Sequence, residues 1–429
     1  MPLFSDNPLP SSDKDGFGFA PHAQVLKDII EQATSLPICV GIFGPWGSGK
    51  TSFMKMLEEL IKRDKVQAIW FNPWKYDKQE DVWNALIQTI LSYIAQKSRS
   101  EKVKEEAKNL AKNLAWPAVS LALKKAITAF TAGVITEDNL NSLIEAFSKR
   151  DELYCRHINH FEEDFARVVK LYLPRGGRLV VFIDDLDRCL PENAITVLES
   201  LKLFIGDANC IFVLGMDHSI VEAGIQARYE GKIKINGREY LDKIIQVPFY
   251  LPPVSFKRLK ASLEDEGETL SAEVWNVIRL SMGGNPRKTK RFINSFYLSR
   301  RFLNHPDRDL QERLQSSSLL RLSQERQNFY LAKILVFQMS FSGFYQHLRR
   351  NPGVWRNLEE YVILQNSEAM GQEYLKGKEE LLGFWNDTSF RDFMSKTSKL
   401  LSQNYPSAPS SEIVEALLEA TSLVTETPD

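Results

Sequence analysis

Gly44-Pro45-Trp46-Gly47-Ser48-Gly49-Lys50-Thr51-Ser52 is the stretch from which the fold follows. Gly44, Gly47 and Gly49 let backbone amides turn inward on an anion. Ser52 onward reads as a helix whose N-terminus favours negative charge. In such a loop Lys50 bridges the β and γ phosphates of a nucleotide, and Thr51 offers a hydroxyl to a magnesium ion, a hard cation that prefers oxygen ligands. The chemistry requires a strand before the loop and a helix after it. Residues 38–43 supply an apolar, branched run, and 52–61 carry helical spacing.

Further runs of strand character lie at 66–71, 179–183, 211–214 and 244–251, with a helical pattern over 191–204 between two of them. Strands alternating with helices imply an α/β fold, a doubly wound parallel sheet with its ligand at the carboxyl ends of the strands. Residues 78–172 lack strand character and read as a helical insertion in a core spanning 1–255. After Pro252 and Pro253 the pattern turns helical, with segments at 256–263, 272–281, 287–302, 324–348 and 412–423. We expect a helical lid over 256–305 and an all-helical C-terminal domain over 306–429.

The phosphate loop needs a carboxylate partner. The run Val180-Val181-Phe182-Ile183-Asp184-Asp185 provides one, because an apolar strand rarely ends in two carboxylates without a cation nearby. Asp184 is expected on the magnesium ion and Asp185 on the attacking water, with a turn or helix cap as the alternative for Asp185. Asp187 reads as a cap, and Arg188 as a phosphate contact or, like Lys243, a residue offered to a neighbouring protomer. Asp217 follows the fourth strand, as a sensor carboxylate beside the water or as a plain cap for a helix beginning near His218. In Gly283-Gly284-Asn285-Pro286-Arg287 the asparagine caps a helix that places Arg287 in its first turn. A cation there opposes the helix dipole, which is easier to understand if Arg287 faces phosphate. No NKxD guanine-reading pattern is present, so ATP is favoured over GTP.

With 54 basic and 55 acidic residues in 429, the net charge of -1 supplies no global field that would select nucleic acid or an anionic membrane. The basic helix from Arg287 to Arg301 is the one local argument for nucleic acid. Cys39, Cys155, Cys189 and Cys210 form no CxxC pair, as expected of a reducing cytosol, and residues 1–10 carry no secretory signal, so a cytoplasmic protein is expected. The most apolar window, 114–135, is cut by Lys124 and Lys125 into pieces too short to span a bilayer. Trp116 and the paired lysines would instead suit an interfacial helix, and Pro117 a helix start or kink.

Five segments together resemble the KAP family of P-loop NTPases: GPWGSGKT at Gly44, WFNPWKYD at Trp70, FIDDLDRC at Phe182, YLDKIIQVPFYLPP at Tyr240 and GNPRKTKRFIN at Gly284. The resemblance runs from about Phe17 to Phe296. It implies an ATPase core of the additional-strand division, related to the STAND and AAA groups, with ATP and Mg2+ as ligands. Family members often insert transmembrane helices between the two Walker motifs, a pattern this sequence does not follow. The resemblance also implies that Phe17 and Phe19 lie near the adenine, where core packing is the equal alternative. In a sheet with the acidic strand between this one and the first, Asn72 to Tyr76 would contact the site or couple it to the insertion, with no residue-level role assigned. The expected function is a magnesium-dependent ATPase acting as a switch, with a protein partner or homo-oligomer, and bacterial defence against phages or plasmids as the family-level setting. The alternatives are a slow-hydrolysing scaffold recruiting an effector, and an ATP-driven nucleic-acid protein.

Overall fold

The computed structural model describes residues 3–7, 15–61, 65–77, 82–114, 152–203, 209–229, 236–266, 269–364, 379–404 and 408–422. The chain forms two compact units: one of residues 8–252, the other of 1–7 with 253–429.

In the first unit five strands form one parallel sheet: β1 (Ile38–Phe43), β2 (Val66–Phe71), β3 (Arg178–Ile183), β4 (Cys210–Met216) and β5 (Val247–Tyr250), in the order β2-β3-β4-β1-β5. The strand that comes between the loop and the acidic strand in sequence, β2, goes to the sheet edge. In space β4 separates β1 from β3. Register aligns the carboxyl ends: Phe43 pairs with Met216 and Tyr250, and Ile183 with Leu214 and Phe71. The residues that follow, Gly44, Asp217, Asp184 and Asn72, therefore emerge along one edge of the sheet.

Side chains alternate across this sheet, as the period of two requires. Leu179, Val181 and Ile183 of β3, with Cys210, Phe212, Leu214 and Met216 of β4, join a core that takes in α3 (Val82–Lys97), α4 (Glu101–Leu114), α5 (Glu152–Tyr172), α6 (Pro191–Leu203) and α7 (His218–Tyr229). On the other face lies α2 (Lys50–Ile61), with α1 (Ala20–Gln32) packed against it. Helices on both faces explain why β4 is buried at every position. The fold is thus the doubly wound α/β core anticipated from the sequence. Burial pushes the Cys39 thiol up to about 12 and raises that of Cys210 too, so both pack as protonated small hydrophobes. The window 114–135, apart from the last helical residue of α4, lies outside the described residues, as does the side chain of Cys155. A short helix, α8 (Gly237–Asp242), precedes β5.

Among its described residues the second unit is helical: α9 (Phe256–Glu266), α10 (Ala272–Met282), α11 (Pro286–Asn304), α12 (Arg308–Ser316), α13 (Gln324–Ser340), α14 (Ser342–Arg350), α15 (Val354–Leu364), α16 (Glu379–Trp385), α17 (Thr388–Asn404) and α18 (Ser411–Ser422). From Phe329 through Gln338 α13 is buried on all sides, as a central helix is, with Lys333 and Gln338 among its buried residues. The single helix expected over 324–348 is in fact two. Phe341 leaves helical geometry (φ -133, ψ 56), and its ring packs against Phe390 and Phe393. The N-terminal segment docks on α11, where Asn294 holds both backbone polar groups of Phe4 at 2.8 Å.

Candidate functional site

The loop between β1 and α2 is tied down at its root and its turn, with Gly44 N–H donating to Met216 O (3.3 Å) and Ser48 N–H to Pro45 O (3.2 Å). Gly49 has φ of 101°, and a Cβ there would sit 2.9 Å from the Phe19 ring. Only glycine suits both demands. Phe19 is 1% exposed and edge-packed between Phe17 and Phe53 beneath the loop, the core packing left open above as the alternative to an adenine contact. The first-turn amides of α2 precede the first intrahelical acceptor, and among the described residues Ser48 Oγ is buried with no hydrogen-bond partner. Such a cradle fits an anion with several acceptor oxygens. Lys50, itself buried, donates to Gly44 O (2.8 Å) and Pro45 O (3.4 Å) and lies 3.5 Å from Asp187 Oδ2.

Thr51 Oγ1 donates to Asp184 Oδ2 at 2.8 Å, so the hydroxyl and carboxylate assigned to one cation stand side by side. Their oxygens suit a hard divalent ion. Burial, then the neighbouring Asp185, pushes the Asp184 carboxyl up to about 6, against the lowering pull of Thr51, the Asp185 N–H and Lys50. Room for that carboxyl comes from β4. A Cβ on Gly215 would fall 2.8 Å from Asp184 Oδ1.

Asp185 adopts left-handed backbone geometry (φ 60, ψ 31), uncommon for a residue with a side chain and tolerated best by Asp and Asn. The turn aims its carboxylate across the sheet edge. Oδ2 accepts from Asn72 Nδ2 (3.0 Å) and Oδ1 pairs with Arg188 Nε (2.8 Å). Asn72 in turn accepts from Trp74 N–H, fixing the short turn after β2, and Trp74 lies 5.4 Å from the Arg188 guanidinium. The FNPW segment thus reaches the site through Asn72, a contact that sequence reading had left without a residue-level role.

Asp187 is the residue that sequence reading missed. Read there as a cap, it instead accepts from the Trp46 indole (2.7 Å) and from Asp217 N–H (2.9 Å) beside Lys50. The density of acid in DDLD was the only available signal. The Asp217 carboxylate turns away to Ser219 N and Oγ (3.1 and 2.7 Å), the cap geometry left open above, and what this residue brings to the site is its backbone N–H. His218 opens α7 with Nδ1 3.3 Å from Glu222. Lys243 is exposed at the end of α8. Arg287 belongs to the second unit, where Asp6 lies 3.5 Å from its Nε and 3.8 Å from that of Arg291. A carboxylate within its own unit therefore answers the unfavourable dipole placement.

The KAP family P-loop domain model matches residues 19–303, more than half of the chain. The chain belongs to the KAP family. Among its relatives, an uncharacterised protein of Methanocaldococcus jannaschii is 28% identical over 171 residues, 34% of this chain and 88% of that one. The phage T7 exclusion protein of Escherichia coli is 25% identical over 284 residues, 62% of this chain but 36% of that protein's length. A solved Walker-type ATPase of Pyrococcus abyssi aligns over 97% of this chain and 100% of its own, at 13% identity and a TM-score of 0.36. Among the described residues of this KAP protein, no helix is long and apolar enough to cross a membrane.

Proposed function

We propose that this KAP protein is a magnesium-dependent ATP hydrolase whose nucleotide cycle works as a switch. The observation that carries the reading is the 2.8 Å bond between Thr51 and Asp184 with Asp185 beside it, at the mouth of the glycine loop. Thr51 and Asp184 would hold Mg2+, which when bound neutralises phosphate charge. Lys50 and the first-turn amides of α2 would bind the β and γ phosphates and oppose the charge that grows during transfer. Asp185 would orient water for in-line attack and take its proton as the new oxygen–phosphorus bond forms and the bond to ADP breaks. Arg287 stays a sequence-based proposal for the same charge. Lys50→Ala and Asp185→Asn are each expected to lower phosphate release by about 10²-fold or more while the melting transition persists. Turnover untouched by both would reject the reading.

A second reading, the slow-hydrolysing scaffold, is favoured by one contact. Asp185 is engaged by both Asn72 and Arg188, so its carboxylate would have to leave a donor before it could turn to water. In that case the wild type would bind ATP with turnover far below one per minute and capture a partner protein only with ATP. The phage T7 exclusion relative supports defence as a setting, and bacteria carrying the gene would then plate phage less efficiently than a Lys50→Ala strain. A cytoplasmic location, a homo-oligomeric state and the division of residues 256–429 into lid and terminal domain are part of the same proposal. Hydrolysis stimulated by DNA or RNA would move the assignment to the nucleic-acid alternative.

A further inference from the structure

The proposed chemistry gives Asp187 no part, yet its side chain is 1% exposed and the groups meeting it come from three elements of the site. Trp46 reaches it from the tip of the glycine loop, Lys50 from the first turn of α2, and the Asp217 amide from the end of β4. A carboxylate so enclosed is costly unless donors satisfy it, and the Trp46 and Asp217 N–H groups at 2.7 and 2.9 Å do so. The Trp46 residue is 53% exposed, so burial does not hold it in place. A bond from its indole to a buried acceptor does.

We infer that Asp187 is a positioning residue with two separable actions: it anchors the tip of the glycine loop through Trp46, and it is an internal counter-ion for Lys50 that competes with nucleotide phosphate. The inference rests on the nucleotide-binding reading above. Anchoring needs only an acceptor oxygen, charged or neutral. Competition needs the charge, because a fixed anion 3.5 Å from Lys50 both neutralises that cation and repels incoming phosphate. Asp187 thereby sets how tightly product is held, while Asp184 and Asp185 serve metal and water.

Three variants of the full chain separate these actions. Asp187→Asn keeps an acceptor and loses the charge, Asp187→Ala loses both, and Trp46→Phe keeps a ring without the donor. Without nucleotide, in protein labelled with 15N-tryptophan, the Trp46 indole signal is assigned by its loss in Trp46→Phe. It is expected to stay near its place in Asp187→Asn and to shift in Asp187→Ala. With Mg2+ and ADP in a calorimeter, Asp187→Asn should bind about ten-fold tighter than wild type, the effect of removing one close like charge. Trp46→Phe should bind several-fold more weakly than wild type. An indole signal indifferent to Asp187→Ala overturns the anchor, and ADP affinity unchanged or lowered in Asp187→Asn overturns the competition. Failure of the parent reading looks different: wild-type ADP binding absent or insensitive to Lys50→Ala, with the indole result still deciding the anchor.

Discussion

Lys50 and Lys333, two of the lysines buried among the described residues, are held in opposite ways. Lys333, on α13, is 0% exposed and pairs with Glu359 on α15, whose carboxylate also takes the Trp355 indole (2.8 Å) and the Ser398 hydroxyl. Every partner comes from a neighbouring helix, and the Trp355 ring lies 5.8 Å from the ammonium. Lys50 instead donates to two carbonyls of its own loop and stands 3.5 Å from a carboxylate that has two other donors. Burial alone does not mark a functional lysine. The Lys333 cluster is saturated by packing, whereas Lys50 sits in an amide-lined turn whose contacts would give way to phosphate oxygens in the proposed function.

The sharpest way to break the contrast is to truncate each lysine. Lys333→Ala should cost about 3–5 kcal/mol of stability, because it leaves Glu359 buried without its cation, and urea unfolding reads this directly. Replacing the pair together, Lys333→Met with Glu359→Leu, should recover most of the loss, since a well-packed apolar pair matches a buried ion pair. At the site the sign of the effect moves from stability to chemistry. Lys50→Ala should lower turnover about 10²–10³-fold, as loss of a charge-stabilising donor does, with little change in the unfolding midpoint.

A third prediction uses pH. Asp184 titrates near 6 in the fold against an ordinary 3.8, so the fold disfavours its ionised form. The penalty is absent below about 4, grows through the interval, and is complete above about 6. Wild type measured without metal or nucleotide should therefore be less stable than Asp184→Asn at pH 7 by about 2–3 kcal/mol, at 1.36 kcal/mol per unit. The gap should close as pH falls to 4, and added Mg2+ should narrow it at pH 7. A gap constant across that range would show that the Asp184 environment differs from the one described.

Much of this was legible in sequence because it is local. The glycine loop, the strand ending in Asp184 and Asp185, and the cap at Asn285 each depend on residues within a few positions, and strand runs such as 38–43 and 66–71 show in composition alone. What stayed hidden is what the sheet order decides. The Trp46–Asp187 bond spans 141 positions and the Asn72–Asp185 bond 113, and both exist because register brings four strand ends to one edge. Phe19 was ambiguous for the same reason, since an aromatic beside a glycine loop packs under it or over a base, and only the course of α1 decides. In the second unit, α12 and α15 to α17 escaped notice, and the break at Phe341 depends on rings of a helix some fifty residues later.

The smallest predicted effect bears on the two functional readings. Asn72 donates to Asp185 at 3.0 Å from a turn that it caps itself, so Asn72→Ala removes one of the two donors described on the carboxylate proposed to activate water. A carboxylate relieved of a donor is freer to turn to water, and turnover should rise about two- to five-fold in a steady-state phosphate assay. Arg188→Gln should act in the same direction, with the two changes less than additive because they share one acceptor. A rise would mean that the edge strand β2 restrains hydrolysis, as a slow switch requires. A fall would mean that Asn72 aims Asp185 at its water, which favours the efficient hydrolase, since losing the orientation then outweighs any gain in freedom.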